Sequence, residues 1–133
     1  MRMIRRLAFA GLLAASAAGL AGPSLAQSMS PMRGEVTSFT DAFAVRVFPA
    51  NPYERPIGVD VRVYDQDFAP VAASVMPGSF TLAAGASRSV LVVVPFAGTS
   101  VRKIRICTES VPFPDNQTRI RAQICGKFIA SRR

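Results

Sequence analysis

Between residues 34 and 130 the chain is cut into short, β-branched stretches by clusters of proline, glycine, asparagine and aspartate. That punctuation leaves no room for a helix of ordinary length. Seven stretches stand out, at 34–39, 43–48, 57–64, 71–75, 87–94, 101–108 and 118–130. Pro49-Ala50-Asn51-Pro52, Pro77-Gly78, Ala84-Gly85 and Pro114-Asp115-Asn116 lie between them, each with turn chemistry that ends a strand. In the third stretch Ile57, Val59, Val61 and Val63 alternate with Gly58, Asp60, Arg62 and Tyr64, as a strand with one buried and one wet face requires. Short strands and frequent turns in a chain of this size predict an all-β fold, a single immunoglobulin-like seven-stranded sandwich.

The residues ahead of these stretches read differently. Arg2, Arg5 and Arg6 give a positive start, an apolar run follows over 7–20, and Pro23-Ser24-Leu25-Ala26 places small residues where signal peptidase reads. This is the layout of a secretory signal peptide, with cleavage expected after Ala26. The apolar run is about 14 residues, short of the ~20 that a spanning helix needs. The expected organisation is therefore a signal peptide over 1–26 and one sandwich domain over 27–133. The mature domain is expected in the periplasm, with no transmembrane segment.

Three of the sixteen basic residues lie in the leader, so the formal charge of +8 falls to about +5 on cleavage. Most of it sits in the last third of the chain. Arg102, Lys103, Arg105, Arg119, Arg121, Lys127, Arg132 and Arg133 face only Glu109 and Asp115 there. The hairpin has no series of aromatics interleaved with these cations to stack on bases, only Phe113 and Phe128, and export removes the chain from nucleic acid, so nucleic-acid binding is not expected.

Two cysteines in an exported chain suggest a disulfide, and no CxxC spacing points to a redox pair. Strand parity sharpens this. Ile104 and Ile106 share one face of their strand, while Lys103, Arg105 and Cys107 share the other. In the last stretch Ile120, Ala122, Ile124 and Phe128 share one face, and Arg119, Arg121, Cys125 and Lys127 the opposite one. If the two strands form a hairpin, Cys107 faces Cys125 and Arg105 falls opposite Lys127. Like charges so placed repel unless they are solvated or share an anion. Either a solvated basic face or a carboxylate anchor at Arg105 and Lys127 fits the sequence.

An enzyme is not expected. With no histidine in the chain, His-based triads and metal sites are absent, and no glycine pattern cradles a phosphate. Asp65 and Asp67 sit where carboxylates serve as turn residues. No cofactor and no metal are expected.

Several landmarks together resemble a known family. Arg33 precedes the first strand, a strand runs into Asn51 with Pro56 five residues on, and residues 77–87 form a Leu-containing turn segment. Another strand ends in Glu109-Ser110-Val111-Pro112, and a late alternating strand carries Lys127. In this order and spacing they resemble the N-terminal immunoglobulin-like domain of the periplasmic pilus (fimbrial) chaperones. The resemblance implies that Arg33 and Lys127 anchor the C-terminal carboxylate of an appendage subunit. It implies also that Ile120, Ala122 and Ile124 form an apolar stripe donated to that subunit by strand addition. Some members of the family join the same two strands by a disulfide.

Two functions follow. The first is a non-enzymatic periplasmic chaperone-like accessory that binds the protein subunits of a pilus or flagellum. The second is a structural component of the periplasmic base of such an appendage, such as a flagellar basal-body ring or a factor needed to assemble it.

Overall fold

A computed structural model describes residues 27–111 and 121–133. The leader expected over 1–26 and the stretch 112–120, which holds Ile120 and Arg119, lie outside the described residues.

Nine strands are described: β1 (Ser28–Ser30), β2 (Arg33–Ser38), β3 (Ala42–Ala50), β4 (Ile57–Asp65), β5 (Ser74–Met76), β6 (Ser79–Leu82), β7 (Val90–Pro95), β8 (Val101–Ser110) and β9 (Ala122–Arg132). They form two sheets, ordered β1-β3-β7-β5 and β2-β9-β8-β4-β6. This is the all-β, immunoglobulin-like sandwich that the punctuation predicted. Each of the seven stretches overlaps a strand, and two short strands, β1 and β6, are added. The stretch at 71–75 contracts to β5, and the one at 87–94 starts its ladder at Val90.

The added strands have a common cause. Two of the chain's changes of sheet fall at short proline-containing links, at Pro31-Met32 between β1 and β2 and at Pro77-Gly78 between β5 and β6. Proline cannot donate to a ladder, so each crossing interrupts pairing and leaves a segment of three or four residues on one side. β1 pairs antiparallel with β3, whereas β2 pairs parallel with β9.

The core lies between the sheets. Phe43, Val45 and Val47 of β3 and Val90, Val92 and Val94 of β7 face Val59, Val61 and Val63 of β4, Ile104 and Ile106 of β8, and Phe128 and Ala130 of β9. The alternation in β4 is as expected, with its valines buried and Asp60 and Arg62 outside. At Gly126 the first strand crosses so close to β9 that a Cβ would stand 3.0 Å from Met29 Cε and 3.1 Å from the Met32 carbonyl oxygen. A side chain at Gly126 would push against both.

Asn51 pins two loops together. Its amide nitrogen donates to the carbonyls of Arg55, Leu82 and Ala83, and its Oδ1 accepts from the Tyr53 N–H at 2.9 Å. With its side chain buried, it satisfies backbone carbonyls at the end of β6 and in the loop after β3. Asp65 works similarly in the β4–β5 turn, accepting from the N–H groups of Asp67 and Ala69, and holds Phe68 at a φ of 61°.

Candidate functional site

The outer face of the five-stranded sheet carries a row of cations. Arg33 of β2 is the register partner of Lys127, and Lys127 is the partner of Arg105 in β8. Tyr64 of β4 continues the row beside Arg105. The sequence placed Arg105 opposite Lys127 through the cysteines, and the ladder puts Cys107 opposite Cys125 with a Cα–Cα distance of 4.0 Å. That short distance belongs to the narrow, non-hydrogen-bonded type of antiparallel pair. Two residues along, Arg105 and Lys127 form a pair of the same type, with their side chains close.

The repulsion is relieved sideways. The Arg105 guanidinium turns toward the β4–β5 turn, where Nε and Nη2 donate to the Gln66 carbonyl at 3.3 and 3.2 Å. Its carbon lies 4.4 Å from the centre of the Phe68 ring, a cation–π contact. Lys127 is left exposed between Arg33 and Arg105.

Two shallow depressions flank Lys127. On the β2 side one of about 380 Å³ is lined by Arg33, Gly34, Glu35, Lys127 and Ile129. On the β8 side one of about 220 Å³ is lined by Gln66, Lys103, Arg105, Lys127 and Ile129, with Ile104 and Phe128 beneath.

Beside this row β9 has an open edge. The β2 ladder starts at the Arg33–Lys127 pair, with the Lys127 N–H donating to the Met32 carbonyl at 2.9 Å. Residues Ala122 to Gly126 pair with β8 but, among the described residues, with no strand on the other side. Backbone direction repeats every two residues, so Gln123 and Cys125 turn their N–H and C=O groups to that open side. Ala122 and Ile124 are half-buried on the inward parity, where the sequence placed them, and Ile120 lies outside the described residues.

Sequence reasoning missed one cluster on this face. Glu109, only 6 % exposed, accepts at Oε1 from the Tyr64 hydroxyl and from Gln123 Nε2, both at 2.9 Å. Its Oε2 lies 3.6 Å from Arg62 Nε and 3.7 Å from Arg121 Nη1. The signal was present in parity, because Glu109 is the one carboxylate on the basic face of its strand. The hydrogen bond to Glu109, then burial, then the Glu109 charge hold the Tyr64 phenol above its ordinary value, with Arg62 and Arg121 opposing. A folded-state value above the unfolded one means the stabilisation is complete below pH ~10 and lost as pH rises through the folded value. Glu109→Gln is therefore expected to bring Tyr64 ionisation to lower pH, read as phenolate absorbance in an alkaline titration of wild type, Glu109→Gln and Tyr64→Phe. An identical titration of wild type and Glu109→Gln would contradict the coupling.

No protein-family model matches the chain, and no curated protein matches it in sequence. Solved structures do match. The Salmonella enterica SafB chaperone, solved in complex with SafA pilin, superposes with a TM-score of 0.67 over 84 % of this chain and 57 % of its own, at 23 % identity. The fold is that of the pilus chaperones. The E. coli chaperone DraB agrees, at a TM-score of 0.64 and 18 % identity over 80 % of this chain and 55 % of its own. The chain thus spans just over half the length of the pilus chaperones it superposes on. SSP-19, an MSP-domain protein like family member from Caenorhabditis elegans, is matched over 98 % of its length with a TM-score of 0.58 and 9 % identity. Among the described residues no helix is long and apolar enough to cross a membrane, and no group of three or more His, Cys, Asp or Glu residues could hold a metal.

Proposed function

We propose that this chain is a non-enzymatic, periplasmic, chaperone-like assembly factor that binds subunits of a surface appendage after its leader, residues 1–26, is removed. The observation that carries the reading is the direct register pairing of Arg33 with Lys127 at the end of an open strand edge. Two cations on adjacent strands suit a terminal carboxylate, held by charge-assisted hydrogen bonds. From that anchor a client strand runs along β9 toward Ala122, meeting the outward backbone groups of Cys125 and Gln123. Ile124 and Ala122, followed by Ile120, supply alternate side chains to the client's open sheet. Arg105 contributes its positive field to the same end.

Titration calorimetry with alternating valine–threonine peptides tests this. A free-acid peptide is expected to bind wild type about tenfold more tightly than its C-terminal amide, the size of one lost charge-assisted contact. Lys127→Ala and Arg33→Ala should each remove that difference. Equal affinity of acid and amide for wild type would sink the proposal.

A further inference from the structure

One terminal carboxylate between Arg33 and Lys127 leaves the β8-side depression unexplained. The β2-side depression has two cations and one carboxylate, Glu35, on its wall. The β8-side one has three cations, Lys103, Arg105 and Lys127, and no carboxylate. Asp65 and Asp67 lie beyond Lys103, lining a neighbouring depression with Arg102 and Thr99. Of the two hollows, the one on the β8 side is thus the stronger seat for an anion. The Ile129 side chain stands exposed beside these cations on the same face, so the anion the hollow suits is carried on an aliphatic stem rather than freely hydrated.

The two hollows share Lys127 and Ile129 and are separated only by the width of β9. Adjacent strands lie about 4.8 Å apart, so both are within reach of one residue of a bound chain. From this juxtaposition we infer that the site recognises a C-terminal residue that is itself acidic. Its α-carboxylate sits between Arg33 and Lys127, and its side-chain carboxylate sits among Lys103, Arg105 and Lys127. Arg105 lines this hollow together with Gln66, to whose carbonyl its Nε and Nη2 donate, so its positive charge is held at the rim. The inference rests on the carboxylate-anchor reading and adds to it the chemistry of the last side chain. Lys103, which had no assigned role, becomes a specificity-determining residue.

Two further alternating valine–threonine peptides test it, one ending in Glu and one in Gln, both as free acids. Wild type is expected to prefer the Glu-ended peptide about fivefold, the upper range for a solvent-accessible ion pair. In Lys103→Gln, an exposed and structurally mild change, the Glu-ended peptide should fall to the affinity of the Gln-ended one. Equal affinity of the two peptides for wild type would overturn the inference and leave the anchor standing. A preference that survives in Lys103→Gln would overturn it too. The Gln-ended amide reports separately on the anchor: if it binds wild type as well as the Gln-ended acid, the anchor reading fails, whatever the last side chain does.

Discussion

Phe128→Ala should lower the free energy of unfolding by about 3–5 kcal/mol, the range for deleting a fully buried aromatic ring. The ring is 2 % exposed and lies where three strands converge. Its register partner in β2 is Gly34, and a Cβ built on Gly34 would stand 3.0 Å from the ring. A Cβ on Gly126 would stand 2.9 Å from it. Two glycines therefore clear the space that the ring fills. With no side chains at either position, little can move in to close the cavity when the ring is removed, which puts the cost high in its range. Urea denaturation measures it as a lower midpoint with an unchanged slope. A loss under 1 kcal/mol would mean that β2 does not pack as described.

The second large effect belongs to the disulfide. Replacing both Cys107 and Cys125 with alanine is expected to cost about 3 kcal/mol, since the bond closes a loop of modest length in the unfolded chain. In thermal unfolding of a domain this size, the loss appears as a fall of roughly 10–20 °C. Reducing agent should lower the wild-type midpoint by a similar amount and leave the double alanine variant unmoved. If the midpoint of the alanine variant also falls under reducing agent, the shift has a cause other than this bond. Cys107 is fully buried and Cys125 half-buried, so a reductant reaches the bond from the Cys125 side.

How much of this could be read from the residues depended on the range of the pattern that encoded it. Parity in the last two stretches separated Ile104 and Ile106 from Lys103, Arg105 and Cys107. One matched pair then set the register that aligned Arg105 with Lys127. Asp65 declared itself as a turn residue by its place after Tyr64. The structure gives Asn51, met in the sequence only as a landmark, four hydrogen bonds. β1 and β6 escaped notice because three or four residues are too few to show a period. Resemblance alone linked Arg33 to Lys127 in the sequence, for nothing local reports a parallel pairing between strands so far apart. The Glu109 cluster was hidden for the same reason, since Tyr64 and Arg62 reach it from β4 and Gln123 from β9.

The place of β9 in its sheet bears on how the molecule is made. Last in the sequence, it lies between β2 and β8 rather than at an edge. Until its residues join, β8 has an unsatisfied flank and β2 has no partner in its sheet. Closure then requires the chain to meet its own beginning across nearly its whole length, an entropic cost that slows folding in all-β topologies. The strand that completes this sheet is also the one whose free side the proposed assembly role would offer to a client, so on that proposal a domain that has not finished folding has no binding edge to present.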